Sequence, residues 1–125
     1  MSTFYERVGG ASAFEQLARV FYEGVAEDGL LRPMYPEADL APAEARLRMF
    51  LEQYWGGPTT YQEQRGHPRL RMRHAPYRIG PKARERWLAH MRAAVDSLNL
   101  NPIDAAELWD YLERAATAML NQLAD

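Results

Sequence analysis

Apolar residues recur at steps of three and four along nearly the whole chain, and no run alternates with period two. The first clear stripe is Phe14, Leu17, Ala18, Phe21 and Val25. Ser12 and Glu15 precede it at capping-box spacing, which predicts a helix over about 12–27 entered through the Gly9-Gly10 turn. Thr3 with Glu6 three residues on predicts a shorter helical turn before it. Residues 30–34 are apolar but stopped by Pro36, so they make one turn at most. Pro42 suits a first helical turn, and Leu47, Phe50, Leu51 and Tyr54 stripe the helix that Gly56-Gly57-Pro58 then ends. Residues 56–68 show no usable period, and a loop of that length inside a compact domain is usually functional. Pro68 can open a short helix through Leu70 to His74, where Ala75-Pro76 forbids continuation. Pro81 opens a long helix with Trp87, Leu88, Met91, Ala94, Val95 and Leu98 on its apolar side. Asn101-Pro102 starts the last helix, striped by Leu108, Tyr111, Leu112, Ala115, Met119 and Leu123. The pattern predicts an all-α fold: one domain over 1–125 with four substantial helices.

Composition narrows the function classes. A chain of 125 residues, 47% hydrophobic and 26% charged, can build one core and is not disordered. Neither a basic leader followed by an apolar stretch nor a run near the roughly 18 residues of a membrane span is visible, which predicts a cytoplasmic protein. Cysteine is absent, so disulfides, thiolate zinc sites, iron–sulfur clusters and cysteine nucleophiles are excluded together. Charge is unevenly spread. Between Arg65 and Arg92 lie nine of the fifteen basic residues and one acid, Glu85, against six bases and sixteen acids elsewhere. Such a block is either a solvated face or a site for anionic groups, and arginine in fourteen of fifteen positions favours carboxylate or phosphate contacts. The aromatics do not interleave with these arginines as a nucleic-acid stacking platform would.

The histidines are the softest ligands on offer. His67 sits in the long loop, His90 within a long helix, and His74 ends a short helix four residues after Leu70, on the same face. A zinc site needs three or four ligands at coherent spacing, and only Glu63 and His67 come near it. A haem needs only one protein nitrogen, because the macrocycle supplies four. It also asks for an apolar slot, cations for its propionates and polar donors beside the iron. Arg73 adjoins His74, and Tyr22, Tyr35 and Trp87 are amphipathic residues able to donate when buried, or simply to pack a core. No nucleophile elbow or phosphate loop accompanies the few serines and the glycine pairs.

The order of elements then adds a resemblance. Gly9-Gly10, LRPMYPE at 31–37, LRMFLEQYWGGP at 47–58, RGHPRLRMRHAPYRIG at 65–80 and ERW at 85–87 together resemble the group II truncated haemoglobins, over nearly the whole chain. The resemblance implies a truncated globin, a two-over-two helical sandwich around haem b. It implies His74 as proximal iron ligand, its other ring nitrogen tied to a backbone carbonyl. Tyr22, Tyr35 and Trp87 match the distal residues that stabilise bound ligand. Ala43, Leu47, Phe50, Leu51, Tyr61, His67, Leu70, Arg73, Tyr77 and Ile79 fall where the family lines or rims the haem pocket. Tyr77, often phenylalanine in the family, is a mild variation.

Two functions follow from such a pocket. One is reversible binding of O2 and other diatomic ligands such as CO and NO, for storage, transport or sensing. The other is an enzyme, a nitric oxide dioxygenase or a peroxidase-like catalyst. This chain has no flavin or nicotinamide motif, so turnover would draw on a separate reductase. A homo-oligomer is compatible with either function.

Overall fold

The computed structural model describes residues 2–125, and among them every regular element is helical. The helices are α1 (Phe4–Arg7), α2 (Gly10–Ala26), α3 (Ala41–Tyr54), α4 (Thr60–Arg65), α5 (Leu70–His74), α6 (Pro81–Ser97) and α7 (Pro102–Ala118), with a single 3-10 turn at Arg32–Met34. The all-α truncated-globin expectation stands: α2 packs on α3 and most extensively on α6, and α6 packs on α7, giving two helix pairs face to face. No helix among the described residues is long and apolar enough to cross a membrane.

The predicted stripes form the core. Phe14, Leu17, Phe21 and Val25 of α2 meet Met91, Ala94 and Val95 of α6 and Leu108 and Leu112 of α7, all essentially excluded from water. Burying a side chain such as Phe21 stabilises the fold by roughly 1.5–3 kcal/mol, and truncating it to alanine costs about 3–5 kcal/mol once the cavity is included.

Several boundaries differ from expectation. Gly9 and Gly10 both adopt positive φ, at 118° and 63°, so the α2 backbone turns in through residues that only glycine accommodates cheaply. The helix thus starts at Gly10; Ser12 lies inside its first turn and caps nothing. At α1 the cap is as expected, with the Thr3 hydroxyl accepting from the Glu6 amide at 3.1 Å. Asn101 does the same for α7, accepting from the Asp104 amide at 2.9 Å. The predicted loop 56–68 contains α4, which its sequence TYQEQR conceals because Tyr61 is its one buried side chain. Helix α5 starts at Leu70 rather than Pro68, since Arg69 takes a left-handed φ of 44° that breaks the helical path. Leu123 leaves the stripe altogether: α7 ends at Ala118 and Leu123 is fully exposed.

Candidate functional site

Between the helix pairs lies a cavity of about 540 Å³, within the range of small-molecule and cofactor sites. Its walls are apolar, with Leu47, Phe50 and Leu51 of α3, Tyr61 of α4, Leu70 of α5, and Ile79. Ala43, Arg73, His74 and Tyr77 also line it, as do Tyr22, Tyr35 and Trp87. His67 does not. It is exposed in the turn before α5, where its Nδ1 accepts from the Arg69 amide at 3.1 Å, so the role assigned to it at the pocket rim has no counterpart in the cavity wall.

His74 shows how local structure prepares a ligand. One helical turn separates it from Leu70, the first residue of α5. The His74 Nδ1 lies 2.7 Å from that carbonyl oxygen and donates to it. A proton fixed on Nδ1 leaves the lone pair on Nε2, the form an imidazole needs to bind a metal. The segment carrying it is tied down by peripheral bonds. Arg73 donates to the carbonyls of Pro68, at 2.8 Å, and Arg65, at 3.1 Å. Asn121, beyond α7, donates to the Tyr77 carbonyl at 2.7 Å and accepts from the Ile79 amide at 2.8 Å.

The opposite wall is organised by α2 and the turn after it. Tyr22 and Tyr35 meet edge to face with ring centroids 5.5 Å apart, and Trp87 packs its edge on Phe21 at 5.4 Å. Burial, and then the adjoining Tyr35 hydroxyl, hold Tyr22 far above the ordinary phenol range, so it remains a protonated donor at any working pH. Tyr35 is likewise raised by burial, with the Tyr22 contact working the other way. Arg32 staples the loop bearing Tyr35, donating to the carbonyls of Tyr35, Glu37 and Ala38 at 3.1, 2.9 and 2.9 Å.

Sequence reasoning did not find the clamp behind this wall. Asp28, past the end of α2, has a buried carboxylate accepting from the Leu30 and Leu31 amides, from Arg86 at 3.0 Å and from His90 at 2.7 Å. Burial works against its charge, but the bonds from His90, Leu31, Leu30 and Arg86 outweigh it and hold the carboxyl well below the usual range. Trp87 sits on α6 between Arg86 and His90, so the clamp fixes the helix that carries it. Gly24 makes the approach feasible, because any side chain there would collide with the His90 Nδ1. A lone aspartate after a helix gives no pattern to read. Arg46, Arg65 and Arg84 at the cavity edge, Tyr111 from α7 and Met119 just past its end are further lining residues that were missed. Tyr111 is pushed up to about 12 by burial and by the neighbouring Tyr54.

The residues present suit a haem: one imidazole with its tautomer set, flat apolar walls, arginines at the edge for carboxylates, and protonated phenols with an indole on the far side. No cluster of three or more metal-ligating side chains exists among the described residues.

Comparison with known proteins agrees. The family model described as bacterial-like globin matches residues 3–121. The chain is 40% identical over 118 residues to the group 2 truncated hemoglobin YjbI of Bacillus subtilis, covering 94% of this chain and 88% of that one. Its fold superposes on the thermostable hemoglobin of Thermobifida fusca with a TM-score of 0.95 and 68% identity, over 96% of this chain and 98% of that one. For the hemoglobin of Chloroflexus aurantiacus the TM-score is 0.94 at 46% identity, over 98% of this chain and 100% of the other. The chain therefore belongs to the bacterial-like globins, among the group II truncated haemoglobins, a family that binds haem and through it oxygen and other diatomic ligands.

Proposed function

We propose that this protein binds O2 reversibly at haem b for storage, transport or sensing, with His74 as its single protein ligand to iron. The observation that carries this is the His74 Nδ1 bond to the Leu70 carbonyl at 2.7 Å, in the same cavity as Tyr22, Tyr35 and Trp87. When bound, the haem supplies an iron that takes dioxygen and other diatomic ligands. The chain supplies the rest. His74 presents Nε2 from a helix end whose backbone is fixed on both sides. Trp87 and Tyr22 hold protons on the indole nitrogen and the phenol oxygen, ready to donate to the negative end of a polar ligand. Tyr35 orients Tyr22 through their edge contact. Ala43 keeps its side of the cavity free of a bulky gate, and Leu47, Phe50 and Leu51 exclude water. Donors fixed in advance in a dry site stabilise charge without reorganising.

A second reading, nitric oxide dioxygenation or peroxidase-like turnover in the cytoplasm, uses the same pocket and needs an outside electron source. The uncompensated basic segment beside His74 favours it. The first test of both is spectroscopic. The purified protein should show a Soret band, lost in His74→Ala and restored by added imidazole, but kept in His67→Ala and His90→Ala. A normal five-coordinate ferrous spectrum from His74→Ala would overturn the assignment.

A further inference from the structure

The wall that carries His74 has an outer side as distinctive as its inner one. Leu70, Arg73 and His74 of α5 line the cavity, whereas Arg69, Arg71 and Met72 are exposed. Met72 is 61% exposed, unusual for a large apolar side chain in so charged a run. Pro76, exposed one turn later, extends the apolar spot, and Arg78 and Lys82, both exposed, continue the basic rim. None of the side chains of Arg69, Arg71, Arg78 and Lys82 forms an ion pair among the described residues. Nor do these four line the cavity, so arginines at its edge, Arg73 and Arg84 among them, remain for a cofactor's carboxylates.

The geometry points to this outer face of α5 and its flanks as the docking surface for an acidic electron-carrier protein, one holding a flavin or iron–sulfur centre beneath carboxylate-rich surface. The inference rests on the haem reading above and adds the partner that the second reading requires. Three features converge. An apolar centre ringed by unpaired cations has the anatomy of a protein interface, with an anchor and a polar rim. Outside residues 65–92 the chain carries sixteen acids against six bases, so an acidic partner is repelled from most of the remaining surface and steered to this face, where Asp125, on the Lys82 amide, is the one carboxylate recorded beside the four cations. The face also lies directly behind the iron's ligand. Met72 is two residues from His74, and the Leu70 carbonyl to Nδ1 bond makes a short bonded route from the α5 backbone to the imidazole. The step is a one-electron transfer in which the carrier's reduced centre is oxidised and ferric iron becomes ferrous, with no bond made or broken.

Lys82 offers a direct probe, because it is the only lysine in the chain. Haem-loaded ferric protein is mixed with a reduced acidic flavodoxin, and the rate of reduction is followed against ionic strength. The same mixture is treated with a carbodiimide, and the cross-linked peptide is mapped. The expected results are a rate that falls at least tenfold from low to high salt, the scale of electrostatic steering, and a cross-link through Lys82. Arg71→Glu with Arg78→Glu should slow flavodoxin reduction about tenfold or more and abolish the cross-link. Arg114→Glu, on α7, should change neither. Photoreduced deazariboflavin, small and uncharged, should reduce wild type and both variants equally, which separates docking from damage to the site. Salt-insensitive reduction, or a cross-link that survives the double charge reversal, would overturn the surface while leaving the haem reading intact. Self-association of the chain alone that this variant removes would assign the face to a second copy instead, and tighter capture of a polynucleotide than of flavodoxin at physiological salt would assign it to nucleic acid. A wild-type protein that takes up no haem defeats both the surface and the reading beneath it.

Discussion

The two walls of the cavity are built by different means. The wall bearing Tyr22, Tyr35 and Trp87 is backed by the inward-facing stripes of α2 and α6, such as Phe21, Val25, Met91 and Ala94, which are almost wholly excluded from water, and is locked by the buried Asp28 carboxylate with four donors on it. The wall bearing His74 is a five-residue helix with no side-chain cap and no buried residue of its own. Peripheral bonds from Arg73 and Asn121 hold it, and Arg69 enters it through a left-handed backbone that costs a non-glycine residue about 1–2 kcal/mol. Core burial and a desolvated ion cluster give the first wall its own stability. The second depends on what it binds, since low contact density and exposed backbone bonds mark segments that open locally. On the proposed haem reading, the wall of Tyr22, Tyr35 and Trp87 would hold its shape unaided while the His74 wall would be ordered by the cofactor.

Removing haem should break the symmetry of the two walls most. A ligand that binds only the folded state stabilises it by mass action, roughly 4 kcal/mol at a thousandfold excess over Kd. The loss should fall first on residues 70–80, seen as faster amide exchange there than in α2 on passing from holo to apo protein. Equal loss of protection in both would show that the walls form one cooperative unit.

Next in size is Asp28→Asn. Breaking the charge cluster strands Arg86 and His90 and should destabilise the protein by on the order of 3 kcal/mol at neutral pH. Because the folded carboxyl is depressed, its contribution is complete above the unfolded value near 4 and fades as pH falls below it. Denaturant midpoints of wild type and variant should therefore keep their separation from pH 7 to about 5 and converge only as pH falls below about 4. A gap that widens on acidification would remove Asp28 from the clamp.

Trp87→Phe probes the rigid wall without loosening it. Losing a hydrogen bond to a partly charged acceptor costs about 1.5–3 kcal/mol, or a roughly ten- to hundredfold faster oxygen dissociation. Carbon monoxide, with less charge on its outer atom, should change less, and Tyr22→Phe should shift oxygen release in the same direction by a smaller factor. Stopped-flow dissociation reads all four values, and an unchanged oxygen off-rate in Trp87→Phe leaves the indole to packing alone. The smallest effect belongs to Asn121→Ala. It removes exposed bonds to Tyr77 and Ile79 and should cost about 1 kcal/mol. That loss should be confined to residues 74–80 and shrink when haem is bound.

How much of this could be read from the chain divides along the same line. The four long helices announce themselves, because Phe14 through Val25 or Leu88 through Val95 repeat at a period set by core burial. Leu47, Leu51 and Trp87 lie on the same stripes, but the period alone makes them core residues, and it was the resemblance to the group II truncated haemoglobins that implied their place in the cavity wall. Helix α4 could not be placed before any coordinates, since a surface helix with one buried tyrosine carries no period. Asp28 was invisible because its meaning depends on Arg86 and His90, some sixty positions away, with separations of 58 and 62. His67 was placed at the pocket rim by the family resemblance alone, since a loop histidine before proline carries no pattern of its own, and its Nδ1 accepts from the Arg69 amide outside the cavity wall. Asn121 lay in a stretch without a motif, and only its return to the α5–α6 connection gives it a task.

That return has a consequence for biosynthesis. The carbonyl of His74 and the turn beyond it are closed by a side chain that lies 47 positions downstream. While the polypeptide emerges, α2 and α3 can already pair and the imidazole is already out, yet its supporting turn stays unfastened until residue 121 arrives. Domains fold as units, and neither wall is complete early: the Asp28 clamp waits for Arg86 and His90 and the His74 turn waits for Asn121, so the pocket closes only when nearly the whole chain is out.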